Sequence, residues 1–427
     1  MHNSLNDRAV QYHEALPHGK LSVQPTKALS TVDDLALAYT PGVAEPVRRI
    51  AKTPDDAYLY TDKGNLVAVI SNGTAVLGLG NQGALASKPV MEGKAVLFKR
   101  FAGIDAFDIE INSEDPAEII RTVELLEPTF GGINLEDFKA PECMVIEREL
   151  IKRMQIPVMH DDQHGTAVVV SAGILNALTV ANKTLKDVTI VLNGAGSAGL
   201  AVATMLKLLG CNPERLFLCD SKGVLTEERS DLGEFKQPFA RKTAQKMLKE
   251  ILRGADVFIG VSKANVLDAE MLRSMAAQPI VFALANPDPE IDPALAKATR
   301  EDVILATGRS DFPNQINNVL CFPFLFRGAL DARALQINDV MKMAAAHALA
   351  ALAREAVPPA VLQAYGLPSL SFGRGYLLPK PFDRRLLPTV SSAVAQAAME
   401  SGTARVTLDL KEYRVMLEKK SAQNVAQ

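Results

Sequence analysis

Cysteine is scarce in this chain. Four occur in 427 residues, and Cys143, Cys211, Cys219 and Cys321 form no Cys-x-x-Cys pair. The spacing excludes a zinc ribbon and offers no disulfide framework. The apolar surroundings of three of them (VLCFPF, LFLCDS, LGCNP) predict reduced, partly buried thiols. Long apolar runs are missing too: none approaches the ~18 residues of a membrane span. The opening MHNSLNDRAVQYHEAL lacks the apolar core of a secretory signal, so a cytoplasmic setting is expected. Nor is one charge in excess. Lys and Arg number 46 against 49 Asp and Glu, a net charge of −3, with no basic cluster to bind nucleic acid or a membrane surface.

What is present is an ordinary globular balance, 48% apolar and 22% charged. The length suggests two or three domains of roughly 100–200 residues. From about Asp33 to Ile156 the pattern is α/β: NLVAVIS and AVLGLG read as short buried strands, PAEIIRTVELLEP and PECMVIERELIKRM as amphipathic helices, and TFGGINLEDF as a strand ending in acids. From Pro157 it becomes regular. IPVMH runs into a long apolar helix beginning near Thr166. Then come VTIVLN, a helix from about Ala198 to Leu209, RLFLC, a helix around Ala240 to Arg253, DVFIG, a helix after Leu267, PIVFALA and VILATG. That alternation predicts a doubly wound parallel sheet of Rossmann type. VMKMAAAHALAALAREA and LPTVSSAVAQAAMESG are further helices. Residues 357–388 read as mostly irregular, and the tail SAQNVAQ as disordered. The expected division is a first α/β domain over 1–156 and a nucleotide-binding domain with a C-terminal helical segment over 157–427.

Two patterns carry chemistry. VTIVLNGAGSAG places Gly194, Gly196 and Gly199, with Ser197 and Ala198 between them, after a strand and at the opening of a helix. A tight turn there lets backbone N–H groups and the helix dipole meet a dinucleotide pyrophosphate. Asp220 ends the next strand, where a carboxylate would favour NAD by holding ribose hydroxyls. Lys222, Lys236, Arg241 and Lys242 follow and could answer the 2′-phosphate of NADP, so the residues leave NADP and NAD both open. The second pattern is two acidic pairs at strand ends, Glu136–Asp137 and Asp161–Asp162. Adjacent carboxylates repel unless a cation or proton neutralises them, and all-oxygen donors suit Mg²⁺ or Mn²⁺. Helix capping explains either pair alone equally well, and two such pairs in Gly-bordered turns shift the balance toward a metal. His160 and His164 flank the second pair without a third soft donor, and read as structural rather than as zinc ligands.

Taken in order, YTPGVAEP, GLGNQG, MEGKAVLFK, GGINLEDF, HDDQHGTA, NGAGSAG, CDSKG, ALANPDPEI and NQINNVLCFPFLFRGALD resemble successive blocks of malic enzymes over almost the whole chain. The pattern is most similar to bacterial NADP-linked members, without a phosphotransacetylase-like extension. The resemblance implies oxidative decarboxylation of malate to pyruvate, with NADP (or NAD) as oxidant and Mg²⁺ or Mn²⁺ as metal. It implies that Glu136, Asp137 and Asp162 hold the metal and that Asp161 orients a catalytic group. Lys94 would be the general base, Tyr39 the general acid, and Asn286 and Asn318 substrate contacts, with the nicotinamide ribose near Asn286. It also implies a homodimer or larger homo-oligomer. A base at Lys94 requires a pKa well below ~10.4, and a bound metal is a candidate for the cation that lowers it. The sequence departs from larger relatives at Ala75, where they carry a carboxylate-binding arginine. Ser71, Asn72, Thr74 or backbone N–H groups are the expected replacements.

Two other readings compete. An amino-acid-dehydrogenase-like oxidoreductase shares the two-domain plan and an active-site lysine but has no use for clustered carboxylates. A non-catalytic dinucleotide-binding regulatory module needs neither Lys94 nor the acids.

Overall fold

A computed structural model describes residues 4–76 and 78–423. Two parallel sheets organise the chain. The first has the order β2-β1-β3-β4, formed by β1 (Leu66–Ser71), β2 (Asp105–Glu110), β3 (Gly132–Leu135) and β4 (Val158–His160). The second has the order β10-β9-β8-β5-β6-β7, from β5 (Ile190–Asn193), β6 (Leu216–Asp220), β7 (Gly223–Val224), β8 (Val257–Gly260), β9 (Ile280–Ala283) and β10 (Ile304–Thr307). Only β7 runs antiparallel, against β6.

Apolar runs such as LVAVIS form central strands because both faces are covered. Along β1, Val67 and Val69 enter one apolar cluster, and Leu66, Ala68 and Ile70 enter another. Six longer helices position the site: α1 (Ala84–Ala102), α2 (Pro116–Leu125), α3 (Glu142–Arg153), α4 (Asp161–Val180), α5 (Ser197–Leu208) and α6 (Phe322–Asp331). After them come α7 (Asp339–Ala353), α8 (Leu386–Glu400) and α9 (Leu410–Gln423). The α4 helix lies between the sheets. Its Val168, Val169 and Ile174 share one core with Val67 of β1 and Leu192 of β5.

Several elements differ from the sequence reading. The described residues of AVLGLG, 75–76 and 78–80, form no strand of either sheet. Gly80 turns back at φ +76°, and Val76 pairs with it in an isolated antiparallel bridge. IPVMH belongs to the first sheet, since β4 pairs with β3. Helix α4 begins at Asp161, five residues before Thr166, so both aspartates occupy its first turn, where the dipole favours negative charge. Around 240–253 only Leu248–Ile251 is helical; Arg241 instead bridges to Thr226. DAFDIE, whose acids interrupt the apolar run, forms the half-exposed edge strand β2. Residues 421–423 close α9, and the rest of the tail lies outside the described residues.

Residues 4–65 contain no buried side chain, although Leu5, Val32, Leu37, Tyr39, Val47 and Leu59 are among them. Among the described residues, no helix is long and apolar enough to cross a membrane. All four cysteines are unpaired and buried, and burial pushes the Cys143 and Cys219 thiols up to about 12.

Candidate active site

The ends of β3 and β4 bring the two acidic pairs together. Glu136 follows β3, and its backbone N–H donates to Ile70 O at 2.9 Å. Asp137 takes a left-handed conformation (φ +56°), an uncommon one for a side-chain-bearing residue. Its N–H donates to Asp162 Oδ2 at 2.9 Å, and its carbonyl accepts from Ala75 N at 2.9 Å. One oxygen from each of Glu136, Asp137 and Asp162 lies within 4.8 Å of the others. The three residues implied as ligands therefore converge.

Asp161 does another job. Lys94, from the middle of α1, places its Nζ 2.6 Å from Asp161 Oδ2 and 2.9 Å from Glu136 Oε1, over the Phe322 ring at 4.2 Å. Asn318 donates its amide N–H to the Asp161 carbonyl (3.2 Å) and carboxylate (3.3 Å), and accepts from the Thr166 hydroxyl at 3.1 Å. Gly165 makes room, since a Cβ there would sit 1.9 Å from Asp161 Oδ1. Lys94, Asp161 and Asn318 thus form one buried constellation beside the carboxylate cluster.

Its electrostatics are lopsided. Burial alone would lower Lys94, but Asp161, Glu136 and Asp162 outweigh it and hold the amine strongly protonated. Burial raises Glu136 well above the usual carboxylate range; Lys94 opposes this, and Asp162, Asp161 and Asp137 add to it. The sequence reading lowers Lys94 through a bound metal; the surrounding carboxylates by themselves raise it. Four carboxylates around one ammonium are short of positive charge, and their oxygen donors fit a hard divalent cation. Neutralising them would also free Lys94 to lose its proton.

Behind the cluster lies a support that the sequence did not reveal. Glu147 of α3 accepts from His160 N (2.7 Å) and Gln163 (3.3 Å), and pairs with His164 Nε2 at 2.9 Å. Burial would raise Glu147, yet His164, Lys342 and His160 together bring it down to about 2. His164 spends its ring on this support, whereas His160 lends only its backbone N–H; the buried His160 ring has no hydrogen-bond partner and stands with Nδ1 3.8 Å from Asp162 Oδ2. Nothing in PECMVIEREL marks Glu147, because only the turn of α3 against α4 brings it there.

At the glycine turn each position has its own reason. Gly194 has φ +116°, and a Cβ on it would lie 2.5 Å from Val261 O. On Gly199 a Cβ would lie 1.8 Å from Gly194 O, whereas Gly196 faces open space at the start of α5. That open approach suits a phosphate above the N–H groups of Ser197 and Ala198. Asp220 does end β6, but Arg229 clasps it with two bonds (2.8 and 2.9 Å) and Lys236 adds a third at 2.9 Å. Burial raises its pKa, and these two cations overcome that and bring it down to about 2. Arg229 was missed, nine residues beyond in a polar loop. Lys222 pairs with Asp231, while Arg241 turns away to Pro213 O.

Asn286, just past β9, lies at the meeting of the two lobes: a Cβ on Gly78 would approach its carbonyl to 2.6 Å. The side chains expected to replace the arginine at Ala75 are engaged elsewhere. Thr74 donates to Asn72 Oδ1, Asn72 donates to Ser113 O, and Ser71 Oγ accepts from Gly73 N. Tyr39 does not reach Lys94. It caps a short helix (Val32–Ala38) and is 69% exposed.

Comparison with known proteins follows the same outline. Residues 18–117 match the family described as "Malic enzyme, N-terminal domain", and 163–371 match "Malic enzyme, NAD binding domain". An NADP-dependent malic enzyme of Halomonas elongata is 58% identical over 95% of this chain and 96% of its own length. One from Escherichia coli is 54% identical over 98% of this chain but only 55% of its own, so the chain spans about half of that longer relative. The crystal structure of a malic enzyme from Pyrococcus horikoshii superposes with a TM-score of 0.90 at 41% identity, covering 99% of this chain and 96% of that one. Two convergent acidic pairs with a lysine between them, and a glycine turn at the opening of α5, thus accompany a match along nearly the full length: the chain belongs to the malic enzyme family.

Proposed function

We propose that this chain oxidises (S)-malate to pyruvate and carbon dioxide while reducing NADP, with Glu136, Asp137 and Asp162 holding Mg²⁺ or Mn²⁺. The observation that carries the reading is the contact of Lys94 with both Asp161 and Glu136 at the edge of a three-carboxylate cluster. A divalent cation held by these three carboxylates would supply Lewis acidity to the decarboxylation. Lys94 would accept the C2 hydroxyl proton, and bound NADP would supply the acceptor for the hydride from C2. Asp161 and Asn318 hold the lysine and orient substrate between them. Asn286 serves the substrate and the nicotinamide ribose from the other lobe.

NADP is favoured over NAD by charge. Asp220 and Asp231 carry two negative charges, and Arg229, Lys236 and Lys222 carry three positive ones. The carboxylate that would repel a 2′-phosphate is more than cancelled.

Tyr39 is the proton donor to C3 only if a second copy brings it to the site. An exposed Tyr39 within a segment holding no buried residue supports a homodimer in which the segment packs on its partner. Mixing inactive Lys94→Ala and Tyr39→Phe chains should then restore about a quarter of wild-type turnover, since half of randomly paired dimers regain one of two sites. Absence of restoration would place Tyr39 elsewhere.

The direct test is NADPH formation from malate with Mn²⁺, its abolition by EDTA and restoration by Mn²⁺, and repetition with NAD. Activity indifferent to EDTA would overturn the metal-dependent reading.

A further inference from the structure

A second cleft, of about 220 Å³, opens between the lobes on the far side of Glu147, bounded by α3, α4, α5 and the start of α7. Its wall along α5 is lined by Leu200, Thr204 and Leu208, with Phe235 and Phe239 opposite. None of these residues takes part in the site above. At its mouth Arg148 of α3 pairs with Glu234 at 3.4 Å and lies over the Phe235 ring at 5.2 Å, tying the first lobe to the second.

The polar end of the cleft is unevenly satisfied. Glu147 already has three donors. Lys342 also lines the cleft and is only 8% exposed, with one ion pair, to Asp339 at 3.2 Å. An ammonium carries three donors, so two N–H groups remain for a ligand. A cavity of ~150 Å³ holds benzene, which makes this cleft large enough for about ten non-hydrogen atoms.

We propose that the cleft is a ligand site, separate from the catalytic centre, for a small monocarboxylate with an aromatic or branched apolar body. The carboxylate pairs with Lys342, and the body packs on Phe235, Phe239 and Leu208. A ligand there bridges α3 of the first lobe and α5 of the second, which gives it a hold on the opening of the catalytic cleft.

4-Fluorobenzoate, followed by fluorine NMR on the intact enzyme with saturating malate present, tests this. Expected is saturable binding that malate does not displace. Removing the charged hydrogen bond should weaken it about tenfold or more, either in the ligand (4-fluorobenzamide) or in the protein (Lys342→Met). Thr204→Trp, which fills the cleft, should abolish it while NADPH formation from malate persists. Absence of binding, displacement by malate, or equal binding of the benzamide would overturn the proposal. So would unchanged binding by a folded Lys342→Met enzyme. The benzamide comparison needs no variant, and the proposal therefore stays falsifiable if either substitution prevents folding.

Discussion

Replacing Lys94 by methionine should move turnover and metal affinity in opposite directions. The ammonium lies 2.9 Å from Glu136 and 2.6 Å from Asp161. At an effective dielectric near 20, each such pair is worth about 6 kcal/mol before desolvation. Removing one partner of a buried ion pair costs ~3–5 kcal/mol, because the other charge is left unpaired. The metal-free variant should therefore be less stable by roughly that amount. The same loss makes the carboxylates hungrier for a dication. If only a quarter of one pair energy appears in binding, about 1.4 kcal/mol, the Mn²⁺ Kd falls about tenfold. The assay is Mn²⁺ titration by calorimetry, with thermal melting in the presence and absence of Mn²⁺ and NADPH formation from malate. Expected are no turnover, tighter Mn²⁺ and a larger Mn²⁺-induced rise in Tm than in wild type, with NADP binding nearly intact. Weaker or unchanged Mn²⁺ binding would show that Lys94 does not face the cluster, and wild-type-like turnover would end its assignment as base.

Asp162→Asn should raise the Mn²⁺ Kd at least about tenfold; an unchanged titration removes it from the ligand set. Glu147 is depressed from 4.5 to about 2 in the fold. Its stabilisation, of order 3 kcal/mol, is therefore present above pH ~4.5 and lost as pH falls toward ~2. Glu147→Gln should lower Tm at neutral pH, with the gap to wild type closing in acid, and a gap independent of pH would refute that account. Gly165→Ala must push Asp161 off Lys94 and Asn318 at a cost of ~1–3 kcal/mol; malate turnover should collapse while the NADP Kd hardly moves. Lys236→Gln should raise KM for NADP about tenfold and leave that for NAD unchanged, an outcome read directly from initial rates.

Sequence alone determined the chemistry on offer. Gly194 and Gly199 follow a strand in NGAGSAG because a Cβ at either would collide with backbone, and acids pair at strand ends where a sheet places its ligands. These constraints are local, so they are legible along the chain. The strands LVAVIS, TIVLN and VFIG were equally plain, because a buried parallel strand must be apolar on both faces. Tertiary structure decided what those residues meet. Lys94 stands in an unremarkable helix until α1 lays it between Glu136 and Asp161, 42 and 67 positions further on. Asp220 looked like a free ribose acceptor until Arg229 folded back onto it. Glu147 and Lys342 lie nearly 200 residues apart in sequence and share a cleft only because α7 packs on α4 while Glu147 of α3 bonds to Gln163 and His164 of α4. Electrostatic energy depends on distance through space and on burial, and neither is written in the order of residues.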